Sequence, residues 1–417
     1  MGAPQQVQGP PRNWGAPLPR YLLLYAMLYA GWGVLSPFLP AVLAKRGATA
    51  EEIGLLLAAG IVVRLVATPA TGNLADRLAA PRQVLAALFL AAAALGLGYG
   101  LVPAGFAGLL LVGIAQHAVT GPLGPLPDAL AVGAAARPKH HGGFDYGIVR
   151  GAGSAAFIAG TLIAGPAVAA TGSPLVVLWL NAGFFACAAG ATLLLPPPPR
   201  LESRAALAGP VRGGLRALLA IPAFRRLLLV VGLISGSHAF YASFATLRWE
   251  AAGIAPGIIS LFWAVAVAAE VAVFFLLGRP LLARLGPGGV CTLAAAAGAL
   301  RWAVMAATAW VPAMLLVQPL HGLTFAAQHL AAMAILARVV PGRLAATAQS
   351  VYASLGTGLV AAALTLASGP LYARLGAGGF WVMASLCALA VPASLALRAV
   401  TPGSMADGQS GPGWPPR

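Results

Sequence analysis

Apolar residues along this 417-residue chain come in long runs, and the polar ones gather in short clusters between them. Twelve runs emerge, at about 21–44, 53–71, 83–101, 106–135, 147–170, 174–195, 224–247, 257–278, 289–309, 312–337, 344–368 and 377–398. Each has about twenty residues or more, enough at about 1.5 Å per helical residue to cross a hydrocarbon core about 30 Å thick. The pattern predicts twelve membrane-spanning helices, spans 1 to 12. The first run is longer than the apolar core of a cleavable signal and more spans follow it, so it is expected to stay in the mature chain. Pro37 and Pro40 in span 1, and Pro122, Pro125 and Pro127 in span 4, are expected to kink their helices.

Between spans 6 and 7 lies "PPPPRLESRAALAGPVRGGLRALLAIPAFRR", a Pro- and Arg-rich segment that splits the chain into halves of six spans. The expected organisation is a tail at 1–20, a six-helix bundle at 21–195, a linker at 196–223, a second bundle at 224–398 and a tail at 399–417. Weak repetition supports equivalent halves. "GNLADRLAAPR" follows span 2, "GRPLLARLGPGG" follows span 8 and "GPLYARLGAGG" follows span 11. The fold class expected is an all-α membrane protein of two pseudo-symmetric six-helix bundles.

Composition sharpens this. The chain is 60% hydrophobic and 8% charged, against about a quarter charged in soluble domains. A net charge of +16 could suggest nucleic acid as a partner, but the basic residues form no stripe with interleaved aromatics, so none is expected. They lie mostly in alternate loops. With the N-terminus in the cytoplasm, only Lys45, Arg46, Arg248 and Arg374 fall in outer loops, whereas residues such as Arg77, Arg82, Arg137, Arg284, Arg338 and Arg343 fall inside. Both termini are therefore placed in the cytoplasm. Cys187, Cys291 and Cys387 lie within spans without metal-ligand spacing and read as packing residues. No metal site is expected.

Ionisable residues inside apolar spans are functional candidates. Here they are Arg64, Asp128, Arg150, Glu270 and Arg301, with His117, His238, His321 and His329; His140 and His141 fall in an inner loop. Three arginines against two carboxylates favour an anionic substrate. Asp128 and Arg150 lie on consecutive antiparallel spans and can meet at one depth, either to hold substrate or to fix packing. Gln318, His321, Phe325 and Gln328 share a face of span 10, and Ser235, His238 and Tyr241 share one of span 7. Such stripes serve either a cavity or helix-to-helix hydrogen bonds. Arg64 has no partner legible in sequence beyond the Asp76 region or the cavity, and a structural role is an equal alternative.

Gly72-Asn73-Leu74-Ala75-Asp76-Arg77, with Arg82 beyond, resembles the cytoplasmic loop signature Gly-x-Leu-x-Asp-Arg-x-Gly-Arg-Arg of the major facilitator superfamily, although Ala79, Ala80 and Pro81 depart from its second half. "PLPDAL", "DYGIVRGAGS", "HAFYASF", "RWAVMAAT", "LHGLTFAAQHLAAM" and "GGFWVMA" resemble the phenylpropionate permease group and, more distantly, the lactose permease group of proton symporters. Gly151-Ala152 stands where Leu-Trp is expected.

The resemblance implies alternating-access transport at a bacterial cytoplasmic (inner) membrane, by a monomer contacting a small-molecule substrate and lipid. It implies no enzyme activity and no cofactor, only the proton as coupling ion. It assigns substrate binding to Asp128, Arg150 and His321, and the stripes of spans 7 and 10, on equivalent helices of such a transporter, add His238, Tyr241 and Gln318 as cavity residues. Proton coupling goes to Glu270, Arg301, His321 and Asp128, and the conformational signature to Gly72, Asp76, Arg77 and Arg82. Thr324 replaces an acid of the lactose permease group and Gln318 a lysine, so a coupling proton would fall to Glu270, His321 or Asp128. The expectation is proton-coupled symport of a small organic, possibly aromatic, carboxylate. A sugar or nucleoside permease and an antiporter are the alternatives; a membrane-embedded enzyme or a sensor would need a loop catalytic cluster or an added signalling domain.

Overall fold

The computed structural model describes residues 17–103, 105–138, 142–196 and 214–398. Most of both expected tails, most of the linker, and His140 and His141 lie outside the described residues. Within the linker, Gly214–Ala220 forms a short helix.

The spans begin where local chemistry allows. Thr49 caps span 2 (Ala50–Arg77) by accepting from the Glu52 amide, while the Glu52 carboxylate accepts from the Thr49 amide. Such a cap contributes about 1 kcal/mol. Asp145 caps span 5 (Tyr146–Thr171) through the Gly147 amide. Spans 3 (Pro81–Leu101), 7 (Pro222–Ala251) and 8 (from Pro256) open on proline, whose missing N–H is no loss in a first turn. Span 6 is Val176–Leu193 and span 12 Gly379–Leu395.

The expected kinks are present. Span 1 is Leu18–Leu35 and Leu39–Lys45, bent by 46° around Pro37. Span 4 runs Phe106–Thr120, tightens to a 3₁₀ turn at Gly121–Leu123, and restarts at Pro125–Ala135. By length and hydropathy the described residues contain up to ten candidate spans, two of which cover 256–307 and 342–395. Each of those turns at a glycine with positive φ, Gly286 (66°) or Gly376 (52°), and so makes two spans. That gives the twelve-span count of the major facilitator fold.

Three π segments widen the second half: Val273–Leu277 in span 8, Gly322–Ala327 in span 10 and Tyr352–Leu359 in span 11. Span 10 is otherwise Val311–Val317 and Gln328–Val339; span 11 continues as Val360–Leu375.

The buried apolar residues form three clusters whose placement fixes the geometry. One holds Tyr21 to Leu28, Phe89, Leu130 and Phe185, all in spans 1–6 near the arginine-rich end. A second holds Leu218, Phe224, Val290, Ile335 and Leu397, in the second half at the same end. The third, at the opposite end, draws on both halves: Phe38, Ile53, Tyr99 and Val168 pack with Phe244, Trp249, Phe262, Trp302 and Phe380. The bundles are thus joined at one end and separate at the other. Spans 2 and 11 meet at the joined end through Gly54 and Gly369, where a Cβ on Gly369 would stand 2.7 Å from the Ala50 carbonyl oxygen. Spans 5 and 8 meet there at Gly165, against Pro256 and Ser260. Thr246 Oγ1 donates to the Pro37 carbonyl at 2.6 Å, tying span 7 to the break in span 1.

Candidate substrate and proton site

Asp128 lies in the first turn of the restarted helix of span 4. Its Oδ1 accepts from Tyr25 Oη at 2.5 Å and from Tyr146 Oη at 2.8 Å. Four residues further along spans 1 and 5, the Arg150 guanidinium sits 4.7 Å from the centroid of the Tyr29 ring. These are two layers one helical turn apart, about 5.4 Å. Asp128 and Arg150 therefore do not form the expected direct contact: Tyr146, one turn before Arg150, already occupies the carboxylate. Among the described residues no carboxylate lies within 4.0 Å of Arg150. Its electrostatic reach instead extends to Glu270 on span 8, across the line between the bundles.

Tyr25, Tyr29 and Tyr146 escaped the sequence reading. Tyr25 and Tyr29 belong to a stripe with Tyr21 that recurs every four residues on span 1, and that stripe was the available signal.

In the second half, Glu270 Oε2 lies 3.6 Å from His321 Nε2. Behind His321 sits Arg301, fully buried, against the rings of Tyr241 and Trp302 at 4.4 and 4.5 Å. Arg301 Nη1 is 3.0 Å from His321 Nδ1, and its Nη2 donates to Gln318 Oε1 at 2.7 Å. Tyr241 Oη donates to the same oxygen at 3.1 Å. Arg301 therefore reaches Glu270 only through His321, rather than as a direct partner.

The contacts assign tautomers. A guanidinium can only donate, so His321 Nδ1 accepts and its proton sits on Nε2, facing Glu270. His238 Nδ1 is 3.0 Å from the Ile234 carbonyl and must carry its proton there. His238 Nε2 then accepts from the Thr324 hydroxyl at 3.0 Å. Thr324, at the position of the absent acid, thus holds a histidine in place.

Desolvating a guanidinium is costly without partners. Charge-assisted hydrogen bonds contribute about 1.5–3 kcal/mol each, and desolvated cation–π contacts about 2 kcal/mol. Gln318, His321 and two aromatic faces together offset the burial of Arg301. The linear order Glu270, His321, Arg301, Gln318, Tyr241 connects a partly buried carboxylate to a fully buried cation.

Of the expected face of span 10, Gln318 and His321 enter the site and Phe325 stacks on His321, ring centroids 5.5 Å apart, whereas Gln328 is buried further along the bundle with neither side-chain polar atom hydrogen-bonded among the described residues. The π segment at Gly322–Ala327 lies between them.

The signature residues also differ from a loop. Gly72, Asp76 and Arg77 belong to the last turns of span 2, and only residues 78–80 turn. Arg82 Nη2 donates to the Leu193 carbonyl at the end of span 6, at 2.7 Å. Ala79, in the signature's glycine position, has φ of 49°, the left-handed region. Arg64 lies against Thr68 and Gly121 and interacts electrostatically with Tyr99 and His117, none of them acidic. His117 is buried against Gly60, its Nδ1 2.8 Å from the Gly113 carbonyl, which is a packing role. His329 is exposed beside Tyr352 Oη at 3.4 Å.

A model of the MFS_1 like family matches residues 18–383. The chain belongs to that family. It is a major facilitator secondary transporter and not an enzyme. Over 372 residues it is 34% identical to the probable 3-phenylpropionic acid transporter of Escherichia coli (strain K12), covering 88% of this chain and 94% of that one. The maltose permease of Geobacillus stearothermophilus is 28% identical over 381 residues, covering 90% and 94%. Among solved structures the nucleoside transporter NupG superposes with a TM-score of 0.77 at 16% identity, covering 92% of this chain and 99% of that one. A D-xylose-proton symporter gives 0.64 at 15%, covering 93% and 98%.

Proposed function

We propose that this transporter carries a small aromatic carboxylate together with a proton, its arginine-rich end facing the cytoplasm and the site open to that side. The observation that carries the reading is Arg150: a half-buried guanidinium between the bundles, laid on Tyr29, with no carboxylate within 4.0 Å among the described residues. A substrate carboxylate completes it with a bidentate pair. Tyr25, Tyr29 and Tyr146 on one side and Trp263, tilted against Tyr241 at 4.4 Å, on the other offer aromatic faces to a ring. The name of the Escherichia coli relative, a probable 3-phenylpropionic acid transporter, agrees with this class.

Coupling follows from competition. Glu270 and the substrate anion both draw on Arg150, and a proton on Glu270 removes one competitor. Anion and proton then bind better together than either alone, and this mutual preference is what symport requires. His321, with its Nε2 proton facing Glu270, positions that carboxyl group. Asp128, held by two tyrosines, keeps the aromatic wall in place and bounds the site. The site residues proposed for substrate are Arg150, Asp128, His238, Tyr241, Gln318 and His321; for the proton they are Glu270 and His321, backed by Arg301.

The test is thermal stabilisation of the purified protein by 3-phenylpropionate, maltose and uridine, repeated with Arg150→Ala. Ligand at a hundred times its Kd stabilises by about 2.7 kcal/mol. Stabilisation by the acid alone, lost in the variant, is expected. Stabilisation only by maltose or uridine, or a response to the acid that survives Arg150→Ala, overturns the reading.

A further inference from the structure

At the arginine-rich end of the second bundle, away from the site between the bundles, three arginines from three elements converge on one cavity. It has a volume of about 300 Å³ and is lined by Arg284, Arg338 and Arg398 with the turn at residues 286–289. Arg284 precedes the turn into span 9, Arg338 ends span 10, and Arg398 follows span 12. Packing sets the convergence. Gly286 reverses the chain with φ of 66°, and a Cβ on Gly288 would stand 2.6 Å from the Arg398 backbone nitrogen, so only glycine lets the end of span 12 approach. Thr292 Oγ1 donates to the Gly288 carbonyl at 3.0 Å and accepts from Ser394 Oγ at 3.1 Å, pinning span 9 to span 12.

Among the described residues the charges are uncompensated. The acids of the described second half are Glu250, near the opposite end, and Glu270, in mid-span. None of the three arginines has an ion-pair partner among the described residues. Like charges around one cavity repel, and an oxyanion placed among them relieves that repulsion while taking several guanidinium donors at once. The cavity also opens at the N-terminus of span 9, whose first amides lack helical partners. Its volume is at the small end of ligand sites, suited to a phosphate group rather than to a whole metabolite. Basic pockets between spans on the cytoplasmic side suit anionic lipid headgroups.

We propose that Arg284, Arg338, Arg398 and the 286–289 turn form a binding site for a phosphate oxyanion, either of an anionic phospholipid headgroup or free in solution. All its walls belong to one bundle. Occupancy therefore stabilises that bundle without competing with the transported substrate, and the inference does not depend on what that substrate is.

The test titrates purified full-length protein with inorganic phosphate, dihexanoyl phosphatidylglycerol and dihexanoyl phosphatidylcholine, reading the melting temperature. A saturable upward shift with phosphatidylglycerol but not phosphatidylcholine is expected. The same shift with inorganic phosphate identifies a free anion as sufficient; its absence identifies the lipid headgroup as the ligand. At about 1 kcal/mol per arginine near an anionic surface, each single Arg→Gln change weakens apparent affinity roughly fivefold, and the triple change roughly a hundredfold. Arg374→Gln, at the opposite end, leaves it unchanged. Equal shifts with both lipids, no shift with any probe, or single Arg284→Gln, Arg338→Gln and Arg398→Gln variants that all bind like the parent overturn the proposal. The single variants keep the test decisive if the triple one fails to fold.

Discussion

Replacing Gly369 by alanine adds one methyl group at the joint between the bundles. At 2.7 Å from the Ala50 carbonyl oxygen and 2.8 Å from Glu51 Cα, that methyl is about 0.7 Å short of ordinary contact at 3.4 Å. Both obstacles are backbone atoms of a capped helix start, so neither can rotate aside. Overpacking of this kind costs about 1–3 kcal/mol. The cost falls on the joined state alone, because once spans 2 and 11 part the methyl meets nothing. A differential of that size shifts the two-state equilibrium about 5- to 150-fold toward opening.

The reporter is Ser260→Cys, buried at the other seam against Gly165 and so free of direct contact with position 369. Native Cys187, Cys291 and Cys387 are first replaced by alanine, the last two being buried already. The labelling rate of Cys at position 260 by a membrane-impermeant maleimide is expected to rise about 5- to 150-fold in Gly369→Ala. Gly183→Ala, where nothing stands within 4 Å of the added carbon, leaves it unchanged. An unchanged rate in Gly369→Ala would refute the view that this glycine contact carries the closure.

Tyr25→Phe with Tyr146→Phe strips both donors from Asp128 and lowers stability by about 1.5–3 kcal/mol per bond to the charged group, read as a drop in melting temperature; no drop would mean that the carboxylate is satisfied elsewhere. Glu270→Gln in proteoliposomes is expected to abolish accumulation driven by a pH gradient while counterflow of labelled substrate persists, and intact accumulation removes Glu270 from coupling. Ala79→Gly relieves a left-handed alanine at φ 49° and raises stability by about 1 kcal/mol, seen as a higher melting temperature; a lower one would contradict the backbone assignment.

The long-period signals were legible in the sequence. Span positions follow apolar length alone, and the breaks at Pro37 and Gly121–Leu123 follow proline chemistry. Glu270 and His321, which the resemblance joins in proton coupling, lie side by side. The errors arise where register decides. Asp128 and Arg150 share neighbouring spans, but a single helical turn separates the layers they occupy, and no sequence pattern sets relative depth that finely. Gln328 belongs to the expected stripe, yet it lies beyond the π turn at Gly322–Ala327 and is buried without a hydrogen-bond partner among the described residues. The signature at residues 72–77 reads as a loop because it is polar, yet charged residues at a helix end sit at the membrane boundary without leaving the helix.

The three apolar clusters make the molecule a lever whose pin is the shared one. Span 7 has thirty residues, about 45 Å of helix. A rotation of about 10° at the pin carries its far end through about 8 Å, wider than a benzene ring, while side chains at the pin move by an ångström or so. The seam there is mostly glycine and apolar surface, so parting it strands few polar groups. Motion sufficient to release cargo can thus be generated by contacts that individually change very little.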